Sequence, residues 1–144
     1  MNATANTAHI LIVDDTEAGR DVLSSLLFSQ QHALSLASSG PEAISLAVEN
    51  TPDIILLDIM MPGMDGFEVC QRMRAMPQFS DVTILMVTAL DDRESRIRGI
   101  DVGADDFISK PFDRTELRTR INTIARLNRY RRINFQRPIF LHMC

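Results

Sequence analysis

Residues 53–68 read DIILLDIMMPGMDGFE. Ile54 to Leu57 is a short apolar run without polar alternation, which is how a strand buried on both faces reads. Asp58 ends the run. The MMPGMDG that follows holds one proline and two glycines in seven residues, so the chain turns sharply. Phe67, Cys70 and Met73 then recur at helical spacing and mark one buried face. A buried strand, a sharp turn and an amphipathic helix make a βα unit, and such units build parallel sheets.

The same pattern extends in both directions. HILIV at 9–13 is a second buried run, closed by Asp14 and Asp15. From Thr16 the spacing becomes helical, with Ala18, Val22, Leu26 and Leu23, Leu27 expected on one face. ALSLA at 33–37 alternates and suits an exposed edge strand. Gly40 and Pro41 open a helix expected to turn Ile44, Ala47 and Val48 inward, with proline tolerated in the first turn. VTILMV at 82–87 is a third buried run, ending in Thr88. Residues 92–102 read as a helix with Ile97 and Ile100 inward. Residues 106–109 form a short strand before Lys110 and Pro111. A last helix begins near Asp113 with Leu117, Ile121, Ile124 and Asn128 on one face. Five strands alternating with five helices, with right-handed crossovers, predict a doubly wound parallel sheet in the order 2-1-3-4-5.

The chain has 144 residues, 45% hydrophobic and 24% charged, the balance of one folded domain. No apolar run approaches the roughly 20 residues of a membrane helix, and residues 1–8 lack the basic and apolar parts of a signal peptide. With two cysteines, neither a disulfide framework nor a zinc site is expected; a cytoplasmic chain with reduced thiols is. Residues 1–113 carry 18 acidic and 7 basic side chains, while residues 114–144 carry one acid and 8 arginines. An acidic body with a basic C-terminal segment suggests a bound cation, an acidic partner for the tail, or a solvated helix face. The expected division is a flexible arm at 1–8, a folded domain at 9–130 and a basic extension or linker stub at 131–144.

The polar residues fall at strand ends: Asp14 and Asp15 after the first, Asp58 after the third, Thr88 at the fourth and Lys110 after the fifth. In a parallel sheet these ends share one edge, and open α/β sheets bind ligands in the crevice there. Three converging carboxylates repel one another, and a hard divalent ion relieves this. Oxygen ligands without nearby His or Cys favour Mg²⁺ over zinc. Lys110 and Thr88 fit a phosphoryl group, the first as a cation and the second as a hydroxyl donor. Asp58, on the central strand, is the carboxylate best placed as nucleophile, forming an aspartyl phosphate. Taken singly, each residue has a plainer reading: a turn, a helix cap or a solvated charge. The five together favour the functional one.

VDD at 13–15, LLDIMMPGMDGFE at 56–68, VTA at 87–89, GADDF at 103–107 and SKPF at 109–112 closely resemble the receiver domains of two-component response regulators. The resemblance covers about residues 8–130 and implies a flavodoxin-like fold, a five-stranded parallel sheet with five helices. It implies Mg²⁺-dependent phosphoryl transfer to Asp58 from a histidine kinase or phosphotransfer protein. It implies Asp14, Asp15, Asp58 and the Met60 backbone carbonyl as the metal site, Thr88 as switch hydroxyl, Lys110 as phosphate-binding cation and a cis bond before Pro111. Many receivers carry Tyr where this chain has Phe107, so an inward ring would rest on packing alone.

Such a chain is a signalling module rather than an enzyme. The alternative is an aspartate-nucleophile phosphatase or hydrolase, whose nucleophile usually lies on the first strand. Specific nucleic-acid binding is not expected, since a helix-turn-helix effector needs ~60 or more residues beyond the domain. The chain reads either as a stand-alone receiver or as the N-terminal part of a longer regulator. The resemblance also implies that the side chains two residues beyond Asp58 and Thr88 flank the attacking water; here these are the apolar Met60 and Leu90, so slow self-dephosphorylation is expected. A face including Ile97, Ile100, Asp101, Asp105, Arg118 and Asn122 is expected to form a weak homodimer tuned by phosphorylation.

Overall fold

The computed structural model describes residues 7–28, 30–90 and 92–143, with side chains described as far as Arg129. Most of the expected N-terminal arm, and the side chains of the basic extension, lie outside the described residues.

Five strands, β1 (His9–Val13), β2 (Ala33–Ala37), β3 (Ile54–Leu57), β4 (Thr83–Thr88) and β5 (Asp106–Ser109), alternate with α1 (Glu17–Phe28), α2 (Gly40–Glu49), α3 (Gly66–Arg74), α4 (Arg93–Asp101) and α5 (Arg114–Met143). A 3-10 turn, Pro77–Phe79, leads into β4. The sheet order is β2-β1-β3-β4-β5 and every pairing is parallel, as the sequence predicts. Ser39, Asp65 and Asp92 cap α2, α3 and α4, each side chain accepting a backbone N–H from the first helical turn.

The period of two along each strand divides the core. Leu11, Val13, Ile55, Leu57, Ile84 and Met86 face one layer, with Ala43, Ala47, Val69, Cys70 and Met73 from α2 and α3. Ile10, Ile12, Ile54, Leu56, Leu85 and Val87 face the other, with Leu23, Leu26 and Leu27 of α1 and Leu117, Ile121 and Ala125 of α5. Both faces of the central strands are covered, so these strands carry uninterrupted apolar runs.

Several helix faces differ from the sequence reading. Ala18, Val22 and Val48 are exposed, because the helices flanking edge strand β2 bury only a narrow stripe. Ile97 and Ile100, expected inward, are 54% and 71% exposed. The buried residue of α4 is Gly99. A Cβ there would come within 3.1 Å of Met86 Sδ and 3.5 Å of the Phe107 ring, so α4 meets β4 and β5 by close backbone approach. Cys70 is buried beneath this region and donates to the Val102 carbonyl at 3.4 Å. Burial raises its thiol to about 11, so it stays protonated and unreactive.

His32, just before β2, is a buried polar junction absent from the sequence reading. Its Nδ1 accepts from the Ala8 N–H at 3.0 Å. Its Nε2 therefore carries the proton and donates to Asn122 Oδ1 at 3.3 Å, while Asn122 Nδ2 donates to Gln30 Oε1. Desolvation lowers its pKa, outweighing the opposing effect of Asn122. The unfolded chain, titrating near 6.5, then takes up the proton first. Stability from this group is present above about pH 6.5 and is lost as pH falls toward the lowered folded value. Denaturant unfolding between pH 7.5 and 5.5 should show this loss, and His32→Gln should reduce it.

Candidate functional site

Backbone bonds carry the sheet ladder past the strand ends and fix three of the predicted site residues. Asp14 N–H donates to the Ala37 carbonyl, Asp58 N–H to the Val13 carbonyl at 3.0 Å, and Lys110 N–H to the Thr88 carbonyl at 2.8 Å. The two aspartates are thereby delivered side by side at the C-terminal edge, and Lys110 is brought over from the far side of β4. The Lys110–Pro111 peptide is cis.

Asp14, Asp15 and Asp58 each offer a carboxylate oxygen to a common point, these atoms lying within 4.8 Å of one another. Asp14 and Asp58 are buried and Asp15 is exposed. Lys110 Nζ bridges the buried pair, 3.0 Å from Asp14 Oδ2 and 3.3 Å from Asp58 Oδ2. The repulsion expected from sequence is thus relieved in part by the lysine itself. Burial works to raise the Asp14 pKa, but hydrogen bonds from the Thr16 N–H, from Lys110 and from the Thr16 hydroxyl, with the lysine's charge, take it below the usual carboxylate range. For Lys110, burial acts to lower the pKa, and the bond to Asp14 with the charges of Asp58 and Asp14 raises it on balance. An all-oxygen donor set at this spacing fits a hard divalent cation.

Thr88 is fully buried, and its hydroxyl oxygen accepts the Leu90 N–H at 3.3 Å. The Met60 N–H donates to Asp58 Oδ1 at 3.2 Å. Phe107 is half-buried on β5 with the Arg96 guanidinium 5.1 Å above its ring. All the predicted site residues therefore gather along this edge and the neighbouring strand.

Two further residues brace Asp14. Thr16 holds Asp14 Oδ1 through both its N–H and its hydroxyl, each at 2.9 Å. Arg20 donates to the Asp14 carbonyl at 2.7 Å. A polar residue two positions after a strand-end Asp is the available signal for Thr16; nothing in the pattern marks Arg20. Of the residues expected on a dimer face, Ile97, Ile100 and Asp101 are exposed on α4, while two others engage partners within the chain. Asn122 turns to Gln30 and His32, and Asp105 pairs with Arg74 at 2.7 Å. Arg120 binds Asp106 and Glu116 within the chain, both at 3.0 Å.

Fold and site together define a doubly wound domain with an acidic, oxygen-lined crevice closed by one lysine and one threonine. Residues 10–122 match the sequence model described as the response regulator receiver domain, and the chain belongs to that family. It is 43% identical over 120 residues to the response regulator PleD of Caulobacter vibrioides, which covers 83% of this chain and 26% of PleD. It is 42% identical over 117 residues to the "DNA-binding dual master transcriptional regulator RpaA" of Synechocystis, covering 81% of this chain and 48% of RpaA. The chain thus spans between a quarter and a half of these relatives. The chemotaxis protein CheY4 of Vibrio cholerae superimposes with a TM-score of 0.78 at 31% identity, covering 82% of this chain and 98% of CheY4.

The two glycines of the turn after β3 have different tasks. Gly63 has a φ of +76°, which favours glycine, and open space around it. Gly66 lies against the strand end: a Cβ there would overlap the Asp58 carbonyl oxygen and come within 2.7 Å of Ile59 Cα. Gly66→Ala should displace the backbone that carries Asp58 and cost about 1–3 kcal/mol, as overpacking does. Gly63→Ala should act only through its φ. Urea unfolding of both variants, with crystallographic placement of Asp58, checks the distinction.

Proposed function

We propose that this chain is a phosphorylation-controlled receiver that accepts a phosphoryl group on Asp58 from a histidine kinase or phosphotransfer protein. The observation that carries the reading is the Lys110 ammonium within bonding distance of both Asp14 and Asp58, with Asp15 completing an oxygen cluster. Asp14, Asp15, Asp58 and the Met60 carbonyl would hold Mg²⁺, which when bound neutralises the carboxylates and the incoming phosphoryl oxygens.

In the transfer, an Asp58 carboxylate oxygen attacks phosphorus. An O–P bond forms as the donor's P–N bond breaks, and its electron pair returns to the imidazole nitrogen. Lys110 compensates the charge on a phosphoryl oxygen. The Thr88 hydroxyl accepts from the Leu90 N–H and keeps its own proton to donate to another phosphoryl oxygen. That donation draws Thr88 toward Asp58 and changes the packing beside β4, where Met86 and Phe107 both adjoin Gly99. The output is then a changed protein-interaction face around α4, β5 and α5, through a weak homodimer or a separate partner. Residues 9–130 form the receiver and 131–144 a basic extension. The location is cytoplasmic; among the described residues no helix is long and apolar enough to cross a membrane. Turnover is limited to slow self-dephosphorylation.

Asp58→Asn should abolish labelling by acetyl phosphate and leave the circular dichroism spectrum unchanged. Lys110→Ala should lower labelling in the same assay without unfolding. Labelling retained elsewhere in the Asp58→Asn protein would contradict the assignment.

Leu90 is half-buried and apolar, so it offers the attacking water no polar group. The wild-type aspartyl phosphate should persist for longer than seconds, and Leu90→Glu should change its decay rate. The decay of radiolabelled protein at neutral pH measures both.

A further inference from the structure

Met60 differs from the other methionines whose side chains are described. It is 55% exposed, whereas Met61, Met73 and Met86 are buried and Met64 and Met76 are half-buried against the core. Its backbone N–H is bonded to the Asp58 carboxylate. The Asp58 side chain is only 11% exposed, and of the residues within two positions of it in sequence, Met60 alone is exposed. Met60 also borders a shallow cavity of about 560 Å³ with Pro62, Phe67 and Leu90. An exposed, oxidisable thioether is thus carried two residues from the reactive carboxylate, on a backbone bonded to that group, and it shares a cavity wall with Leu90.

We propose that Met60 is a reversible oxidation site for peroxides, and that its sulfoxide shortens the lifetime of the aspartyl phosphate; the second part rests on the reading of Asp58 above. Sδ attacks the terminal peroxide oxygen. An S–O bond forms, the O–O bond breaks and, with proton transfer, water or an alcohol leaves. Sulfur is oxidised by two electrons and the peroxide is reduced by two. The product exchanges a weak acceptor for a strongly polar S=O, and it can be restored enzymatically. Hydrolysis of the acyl phosphate requires a water aligned on phosphorus. At present Met60 and Leu90 offer that water no strong acceptor, and a sulfoxide oxygen supplies one. Phosphorylation would then be read out only briefly under oxidising conditions.

The test treats the full chain with dilute hydrogen peroxide, maps sulfoxide by peptide mass spectrometry and follows decay of the phosphoryl label. Met60 should gain oxygen well before Met73 and Met86. Decay should accelerate roughly tenfold, below the 10²–10⁴ of a well-placed general base. Met60→Leu should show no peroxide-dependent change in decay, and unoxidised Met60→Gln, a polar mimic of the sulfoxide, should decay faster than wild type. Oxidation of Met60 no earlier than that of the buried methionines would overturn the proposal. So would full Met60 oxidation with unchanged decay, or acceleration that persists in Met60→Leu. If the untreated protein takes no label on Asp58, the receiver reading itself fails, and the lifetime effect fails with it.

Discussion

A single ammonium group lies between two buried carboxylates at the end of the sheet. Asp14 and Asp58 sit on adjacent parallel strands, their backbones locked into the ladder by bonds to Ala37 and Val13. Neither can move away from the other without breaking main-chain hydrogen bonds. Burying two like charges at this distance is costly unless they are paired. Lys110 supplies the counter-charge, and it is the only lysine in the chain. Its own position depends on a main-chain bond to Thr88 and so on β4 being seated between β3 and β5. Charge balance at the crevice and the order of the sheet are therefore one constraint.

The same geometry explains why small residues lie close by. A Cβ at Gly19 would collide with the Asp14 carboxylate, and one at Gly66 with the backbone of Asp58. Helices α1 and α3 can begin against the strand ends only because these positions carry no side chain. On the opposite side of β4, Gly99 lets α4 approach Met86 and Phe107 closely. Any displacement of Thr88, two residues along the same strand from Met86, is transmitted into a tightly packed contact rather than into solvent.

Away from the crevice, charged residues mostly stitch the chain to itself. Arg74 binds Asp105, the Gly103 carbonyl and the Phe79 carbonyl, tying α3 to the turn after α4 and to the 3-10 turn. Arg120 joins β5 to α5 through Asp106. These partly exposed pairs contribute modestly to stability, about 0–1 kcal/mol each. They also engage charges that would otherwise be free for a partner. Ile97 and Ile100 remain as exposed apolar side chains on α4.

The sequence determined the strands, their order and the edge on which Asp14, Asp15, Asp58, Thr88 and Lys110 meet. Those features follow from local signals: apolar runs, turn residues and the alternation of β and α, which leaves few ways to wind a parallel sheet. Tertiary structure decided which helix faces are covered. Ile97 and Ile100 have the spacing of a buried stripe, but α4 rests on Met86 and Phe107 through Gly99, which leaves both isoleucines exposed. It also decided the partners of polar side chains. Asn122 is distant in sequence from Gln30 and His32 and meets them only when α5 packs beside α1, while Thr16 and Arg20 acquire their roles from the path of the chain around Asp14. Spacing specifies what recurs along one element. Pairings between elements depend on crossing and close approach, which are set by the shapes of side chains elsewhere in the fold.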